Sequence, residues 1–490
     1  MAGIESRALF RTVVPPIVLP VFLSAADSTV VATALPAIGA SLGHVELLSW
    51  VIVANLIAST IAAPAYGRLG DLFGRRRLML VSLAVFQGAA LLCAASTSIW
   101  MLLGARALQG LGGGGLMTLA QALIGEHVPA RQRGEYQGYL AACIMGGSGF
   151  GPVAGGLLTQ AFGWHSVFLA YIPIGLAGMA MVARLPRDEP GSGPVSIDGV
   201  GMLLLAAAVV PLLIAVSRLQ ELDVSTLPLT LAITALTGLM IWLLFAQQRR
   251  VSNPLLALGL LRDPSFWRAD AMAFCSGASL TAMVTFLPIY FELVLGASPG
   301  EAGLMLLPLT VSVSGGSVMT GWLISRTGRT AIFPACALVV TAISLIALAL
   351  WAPVMGSWWL AATLAIGGLC QGSAMLTSQV TVQIVTHPRQ LGAAAGSTQL
   401  SRALGSALGT ALAGAMLFGG LAVQDADAVG WFAELLRHGP DALTALAPAR
   451  QAMIAGEIGR AFSAVFLLVA CFSCGIVAAA ATMPTRRLER

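Results

Sequence analysis

Gly67 to Arg77 reads GRLGDLFGRRR, and both of its flanks are apolar. Trp50 to Tyr66 before it and Leu78 to Ala95 after it carry no charge. One acid and four arginines therefore sit in a short loop between two segments of membrane-spanning length. The loop resists transfer into hydrocarbon, so the flanks enter the membrane and the loop stays on one side. Its arginines assign that side to the cytoplasm, where loops hold the excess of basic residues.

The rest of the chain has the same character. Of 490 residues, 57% are hydrophobic and only 10% are charged, and the mean hydropathy is +0.87. A soluble domain carries about 25% charge. In lipid the backbone must satisfy its own polar groups, which leaves helices or closed barrels. Barrel strands alternate over about 10 residues, whereas the apolar runs here fit spanning helices of about 18 to 25 residues. The sequence predicts an all-α polytopic membrane protein. The net charge is +5, and all 26 basic residues are arginine. They gather in short loops without interleaved aromatics, which marks topology rather than a nucleic-acid surface. The seven cysteines fall inside predicted spans and read as small packing residues. The five histidines lack metal spacing, and Gly110 to Gly115 lacks the Lys-Ser/Thr of a phosphate-binding loop. No metal, nucleotide or other cofactor is expected, and no nucleophile–base set is present. The first segment, from about Val13, is too long and too apolar for the core of a cleavable signal.

Fourteen candidate spans run near 13–38, 47–67, 78–97, 100–125, 135–161, 165–184, 198–217, 226–247, 269–294, 300–324, 331–352, 356–381, 392–420 and 458–482. With the N-terminus inside, most loop arginines fall on the inner side, from Arg68 and Arg75 to Arg77 through Arg131, Arg133, Arg249, Arg250, Arg326, Arg329 and Arg389. The outer loops keep Arg218, Arg437 and Arg450, with Arg460 at an outer helix end. Both termini are expected in the cytoplasm. Pro254 to Trp267 is too short to span and is expected along the inner interface. The polar stretch 424–457 is expected outside, and Arg184 to Ser196 is the clearest linker.

The opening loop has an echo. Gly321 to Arg329 reads GWLISRTGR against GRLGDLFGR, with Ser325 standing where Asp71 does. Gln109-Gly110 of the fourth span returns as Gln371-Gly372 of the twelfth, which puts Gly368 opposite Arg106. Repeats of this kind, related by an axis along the membrane normal, build transporters. Six spans repeat, so 191–250 is expected as a hairpin inserted between bundles 1–190 and 251–490.

Three charges lie deep in predicted spans: Asp27, Arg106, and Arg402 in QLSRALGSALG of the thirteenth, the last without an obvious acidic partner. Asp27 is near the middle of the first, at a cost of roughly 2.5 to 3.5 kcal/mol when unpaired. Arg106 lies in RALQGLGGGG (Arg106 to Gly115) of the fourth and needs a counter-charge or carbonyl partners. Gly147, Gly151 and Gly155, four apart on one face of the fifth span, allow close helix contact. Pro152 breaks one backbone bond there.

Together these stretches are similar to one family. GRLGDLFGRRR resembles the signature loop of the major facilitator superfamily, between its second and third spans. Asp27-Ser28-Thr29-Val30-Val31 with Ala34-Leu35-Pro36 resembles the first-span motif of its fourteen-span drug:proton antiporters. RALQGLGGGG resembles the fourth-span motif tied to proton transfer, and GSGFGPVAGG (Gly147 to Gly156) the antiporter motif of exporters. Trp164 to Gly175 (WHSVFLAYIPIG) also fits the fourteen-span group, except that Ser166 stands for its usual Trp and Tyr171 for its usual Asn. Asp198-Gly199 fits as well. Phe286 to Pro308 resembles the family, with Glu292 where Gln is more usual.

The resemblance implies a major facilitator fold of two six-helix bundles plus two inserted helices. It implies a proton-coupled antiporter, not an enzyme, exporting lipophilic compounds, cations included, by alternating access across a bacterial inner membrane. A proton gradient supplies the energy, and the partners are lipid, protons and a small-molecule substrate; a monomer is expected. By the same resemblance Asp27, Arg106 and Glu292 would couple protons. Gly67, Gly70, Asp71, Gly74, Arg75 and Arg76 would form a gating latch, with Glu126 and Glu135 as candidate partners for its arginines. Gly147, Gly151, Pro152, Gly155 and Gly156 form the antiporter motif, and Gln109, Tyr290, Glu292 and Arg402 are candidates for the cavity wall. Plainer readings stand beside these: a static Asp27–Arg106 salt bridge, a solvent-wetted Glu292, and a structural or anion-contacting Arg402. An exporter dedicated to one metabolite, lipid or self-made antibiotic is the alternative. A nutrient symporter conflicts with the GPxxGG cluster, and a non-transporting scaffold conflicts with the deep charges.

Overall fold

Apolar runs of membrane length can satisfy their backbone only by coiling, and the computed structural model is helical throughout the residues it describes. These are 2–44, 47–186, 198–218, 227–251, 254–256, 258–328 and 357–424, then 448–484, with scattered positions between 339 and 348. The N-terminal helices are α1 (Ala2–Leu42), α2 (Leu48–Phe73), α3 (Arg75–Ala94), α4 (Ile99–His127), α5 (Arg133–Phe162), α6 (His165–Leu169) and α7 (Tyr171–Val182). Two more follow, α8 (Gly199–Arg218) and α9 (Leu227–Gln248). The C-terminal set is α10 (Pro264–Leu293), α11 (Pro299–Thr327), α12 (Ser357–Val385), α13 (Leu391–Gln424) and α14 (Pro448–Ala481).

Among the described residues, eleven helical segments are long and apolar enough to cross a membrane, with α6 and α7 forming one of them. The chain is a multi-pass membrane protein. Two further predicted spans are present as α4, diluted by its glycines and Arg106, and α8, whose apolar part is Gly199–Ala215. The predicted span 331–352 lies almost wholly outside the described residues, as does Arg329. So does most of the polar stretch 424–457, although its end is helical, because α14 begins at Pro448 rather than near 458. α10 also begins early, at Pro264. The Asp263 carboxylate accepts from the Ser265 amide at 2.7 Å, and the following proline pre-sets the first turn.

Each half has its own core. Leu23, Met79, Phe86, Trp164 and Phe168 fill the N-terminal one, and Tyr290, Phe291, Leu417, Phe462 and Phe466 the C-terminal one. α8 and α9 pack on each other, and Leu205, Val209, Leu213 and Leu244 join Ile57 and Ile61 of α2 and Leu400 of α13. Large apolar side chains such as Phe150, Phe162 and Trp358 point outward, as a lipid-facing surface requires.

The sequence echo is an echo in packing. A Cβ at Gly67 would overlap the Gly392 carbonyl, and one at Gly321 would overlap that of Gly134. The α2–α13 and α5–α11 contacts are therefore matching glycine-on-glycine approaches between the halves. Gly110 meets the Asn55 carbonyl and Gly372 that of Val313 in the same way. Both of these repeated positions need a residue without a side chain.

Candidate functional site

Glycine places the buried charges. Cβ atoms at Gly110, Gly112 and Gly114 would collide with α2 or α3 backbone at Asn55, Phe86 and Ser59. Without them α4 sinks into the bundle and carries Arg106 to 0% exposure, against Asp27 at 2%. Arg106 Nη1 donates to Asp27 Oδ1 at 2.8 Å and Oδ2 at 2.9 Å, and to Gln109 Oε1 at 2.7 Å. Arg106 Nε donates to the Val51 carbonyl at 3.2 Å, and Asn55 Nδ2 to Asp27 Oδ2 at 3.3 Å. The Cys93 thiol reaches Gln109 Oε1 at 3.5 Å.

This cluster ties three helices together through one buried charge pair. The pair joins α1 to α4, and Asn55 and the Val51 carbonyl add α2. A buried ion pair offsets its desolvation only while both partners stay charged and bonded; removing one leaves the other costing about 3–5 kcal/mol. Neutralising Asp27 by a proton therefore forces Arg106 toward a new partner or a new position. Donors are in reserve: Arg106 Nη2 and Gln109 Nε2 are buried without a hydrogen-bond partner among the described residues. The Tyr171 ring sits beside Phe86 and Phe168 with its hydroxyl close to Asp27. A residue that departs from the family pattern thus stands next to the pair.

The opening loop joins the halves. Asp71 Oδ1 accepts from the Gly392 amide at 2.9 Å and Oδ2 from the Ala393 amide at 2.8 Å. It caps the N-terminus of α13, where free amides and the helix dipole favour an anion. Arg75 Nη2 donates to Asp71 Oδ1 at 2.8 Å and to the Pro388 carbonyl at 2.7 Å, while its Nη1 reaches Glu126 Oε2 at 2.6 Å. Arg76 donates to the Val182 and Ala183 carbonyls at the end of α7. Gly74 breaks the chain between α2 and α3 at φ 95°, a backbone region that favours glycine. Gly67 and Gly70 lie at close contacts with Gly392 and Leu119.

The second copy works differently. The Ser325 hydroxyl donates back to the Gly321 carbonyl of its own helix at 2.8 Å and caps no helix among the described residues. Instead Arg131 donates to the Ser325 carbonyl at 3.2 Å, and Arg133 to the Gln383 carbonyl at 2.6 Å. Further in, Gln383 Nε2 donates to the Gln121 carbonyl at 2.9 Å. With the Gln379 amide oriented to satisfy its neighbours, its nitrogen donates to Gln137 Oε1 at 2.9 Å. Its oxygen then accepts from Gln121 Nε2 at 3.2 Å and Arg402 Nη2 at 2.8 Å. Arg402 therefore belongs to an amide layer between the halves and, among the described residues, forms no ion pair.

Several expectations change. Tyr290 does not face a cavity: it is fully buried against Phe291, Phe462 and Phe466, because its side of α10 meets α14. Gln109 is also fully buried and holds Arg106 rather than lining open space. Glu135 is not a latch partner; it accepts from the Tyr139 hydroxyl at 2.7 Å. Glu292 is half-buried one residue from the end of α10 and forms no ion pair among the described residues. Gly147, Gly151 and Gly155 all press on α1, at Phe22, Thr29 and Val30, but Gly156 faces open space. α5 runs unbroken through an exposed Pro152. The glutamine layer, Asn55 and Asp270, described below, went unread in the sequence.

Comparisons with known proteins agree with this architecture. The model of the Major Facilitator Superfamily matches residues 17–410. An uncharacterised MFS-type transporter of Mycobacterium tuberculosis is 32% identical over 420 residues, 84% of this chain; the chain spans 59% of that relative's length. The multidrug transporter protein MdtP of Bacillus subtilis is 29% identical over 409 residues, 82% of this chain and 74% of the relative. The human organic anion transporter MFSD10 superposes with a TM-score of 0.64 at 16% identity, over 94% of this chain and 99% of that one.

Proposed function

The chain belongs to the Major Facilitator Superfamily, and from that premise we propose that it is a proton-coupled antiporter exporting lipophilic compounds, cations included. The observation that carries the proposal is the fully buried Asp27–Arg106 pair tying α1 to α4. A proton on Asp27 releases Arg106, and a cationic substrate competes for the same carboxylate. Proton and substrate then exclude one another, which is the condition for antiport. The similarity to a multidrug transporter of Bacillus subtilis and the Gly147–Gly156 contact with α1 support export as the direction.

In this reading fourteen spans form bundles 1–190 and 251–490 around the hairpin 191–250, in a bacterial inner membrane with both termini in the cytoplasm. The arginine-rich end is then the inner end. There Asp71, Arg131 and Arg133 bond the halves together, and the conformation is outward-facing. The protein works as a monomer and draws on the proton gradient, with no other cofactor. The test is purified protein in liposomes loaded with a lipophilic cationic dye, under an imposed pH gradient. Dye movement should follow the gradient and collapse with a protonophore. Dye movement indifferent to the gradient would refute proton coupling.

A further inference from the structure

Asp270 is a further buried carboxylate of the membrane region, at 6% exposure. It lies about 9 Å along α10 from the helix start at Pro264, at a rise of about 1.5 Å per residue. Ser397 Oγ donates to its Oδ2 at 2.6 Å and Thr398 Oγ1 to its Oδ1 at 2.8 Å. Among the described residues it forms no ion pair. Hydroxyl dipoles orient a carboxylate in apolar surroundings but do not balance its charge.

The space beside Asp270 is a cavity of about 410 Å3. Its walls come from three sources: Val209 and Leu212 of α8, Phe245 of α9, and Phe274 and Leu404 of the C-terminal half. Asp270, Ser397 and Ser401 form the polar spot in an otherwise apolar lining. The cavity is of the size that takes drug-sized ligands, about 300 Å3 upward. Its frame is fixed. Asp198 caps α8 through the Gly201 amide at 2.8 Å and accepts from Gln248 Nε2 at 2.7 Å, and Gln248 Oε1 accepts from the Leu256 amide at 3.0 Å. These bonds tie the ends of α8 and α9 to the segment that closes the cavity. The cavity is present with the arginine-rich end of the bundles shut.

We propose that the cavity between the α8–α9 hairpin and helices α10 and α13 is a second ligand site, which takes a lipophilic monovalent cation with Asp270 as its counter-ion. The missing positive charge beside Asp270 is what the ligand supplies, and the apolar walls receive its body. The site lies at inner-leaflet depth, where lipophilic cations partition from the cytoplasm. As a loading station for export it rests on the antiporter reading; as a binding site it does not.

The experiment is equilibrium binding of radiolabelled tetraphenylphosphonium to the full-length protein in phosphatidylcholine nanodiscs. Asp270→Asn should weaken affinity about tenfold or more through loss of a charge-assisted contact. Ala208→Trp, which fills the cavity from α8, should abolish this class of sites. Asp270→Glu and Asp27→Asn should retain it. A neutral tetraphenyl compound of the same shape should compete equally against wild type and Asp270→Asn if only its body is recognised. If Asp270→Asn does not fold, Asp270→Glu and Ala208→Trp still decide, by binding kept in the first and lost in the second. Wild-type affinity in Ala208→Trp overturns the site, as does wild-type affinity in a folded Asp270→Asn; either result leaves the cavity to lipid chains. Binding lost in Asp270→Asn with no proton-driven dye movement in liposomes keeps the site and refutes the antiporter.

Discussion

Asp71→Ala should unlatch the arginine-rich end. The wild-type carboxylate is 1% exposed and accepts two amides from α13 across the junction, besides one bond from Arg75. A hydrogen bond to a charged group contributes about 1.5–3 kcal/mol, so the two crossing bonds together supply several kcal/mol before solvation is counted. In the separated state water hydrates the carboxylate and the freed amides, and this returns part of the gain. A net shift of about 1.5–2 kcal/mol remains, which changes the ratio of closed to open forms by about 10- to 30-fold. Electron–electron distance measurement between spin labels on Ala130 and Thr327, exposed positions of opposite halves at this end, reads that ratio in a cysteine-depleted background. A second, longer distance should appear in Asp71→Ala. Ser325→Ala should change nothing, because among the described residues the Ser325 hydroxyl bonds only to carbonyls of its own helix, Gly321 and Trp322. An unchanged distribution in Asp71→Ala, or an equal opening in Ser325→Ala, refutes the one-sided latch.

Three further outcomes follow from the same geometry. Gly151→Leu should lower the melting temperature by the equivalent of about 1–3 kcal/mol, the usual cost of overpacking, because its side chain meets Thr29 on α1. Gly156→Leu, into open space, should melt as wild type in the same differential-scanning assay. Tyr290→Phe removes a buried hydroxyl without a partner among the described residues; stability should hold or rise by about 1 kcal/mol, and dye export should be unchanged.

The opening loop was legible because its signal is local: charge and glycine within eleven residues, between uncharged flanks. Its two partner amides, at Gly392 and Ala393, are more than 300 residues away and were not. Asp27 and Arg106 could be paired because a charge deep in an apolar run is rare enough to demand a mate. Asp270 was passed over for the opposite reason. It sits in WRADAMAF near a predicted span boundary, where an acid looks like the edge of the membrane. Only α13, 127 positions on in sequence, shows it to be buried. Tyr290 was misplaced because α10 is apolar nearly all round, and such a helix offers no stripe from which to read its inner face. The glutamine layer is neutral, and each member reads as an ordinary helix residue until the halves are brought together.

The central claim is that a proton and a cationic substrate compete through Asp27, and proton release tests it most directly. Purified protein in weakly buffered detergent, brought to a pH low enough to protonate Asp27 and given saturating tetraphenylphosphonium, should release protons, as reciprocal coupling requires, and Asp27→Asn should bind the cation without that release. Release that persists undiminished in Asp27→Asn, or substrate binding to the wild type with no proton released, would contradict the claim.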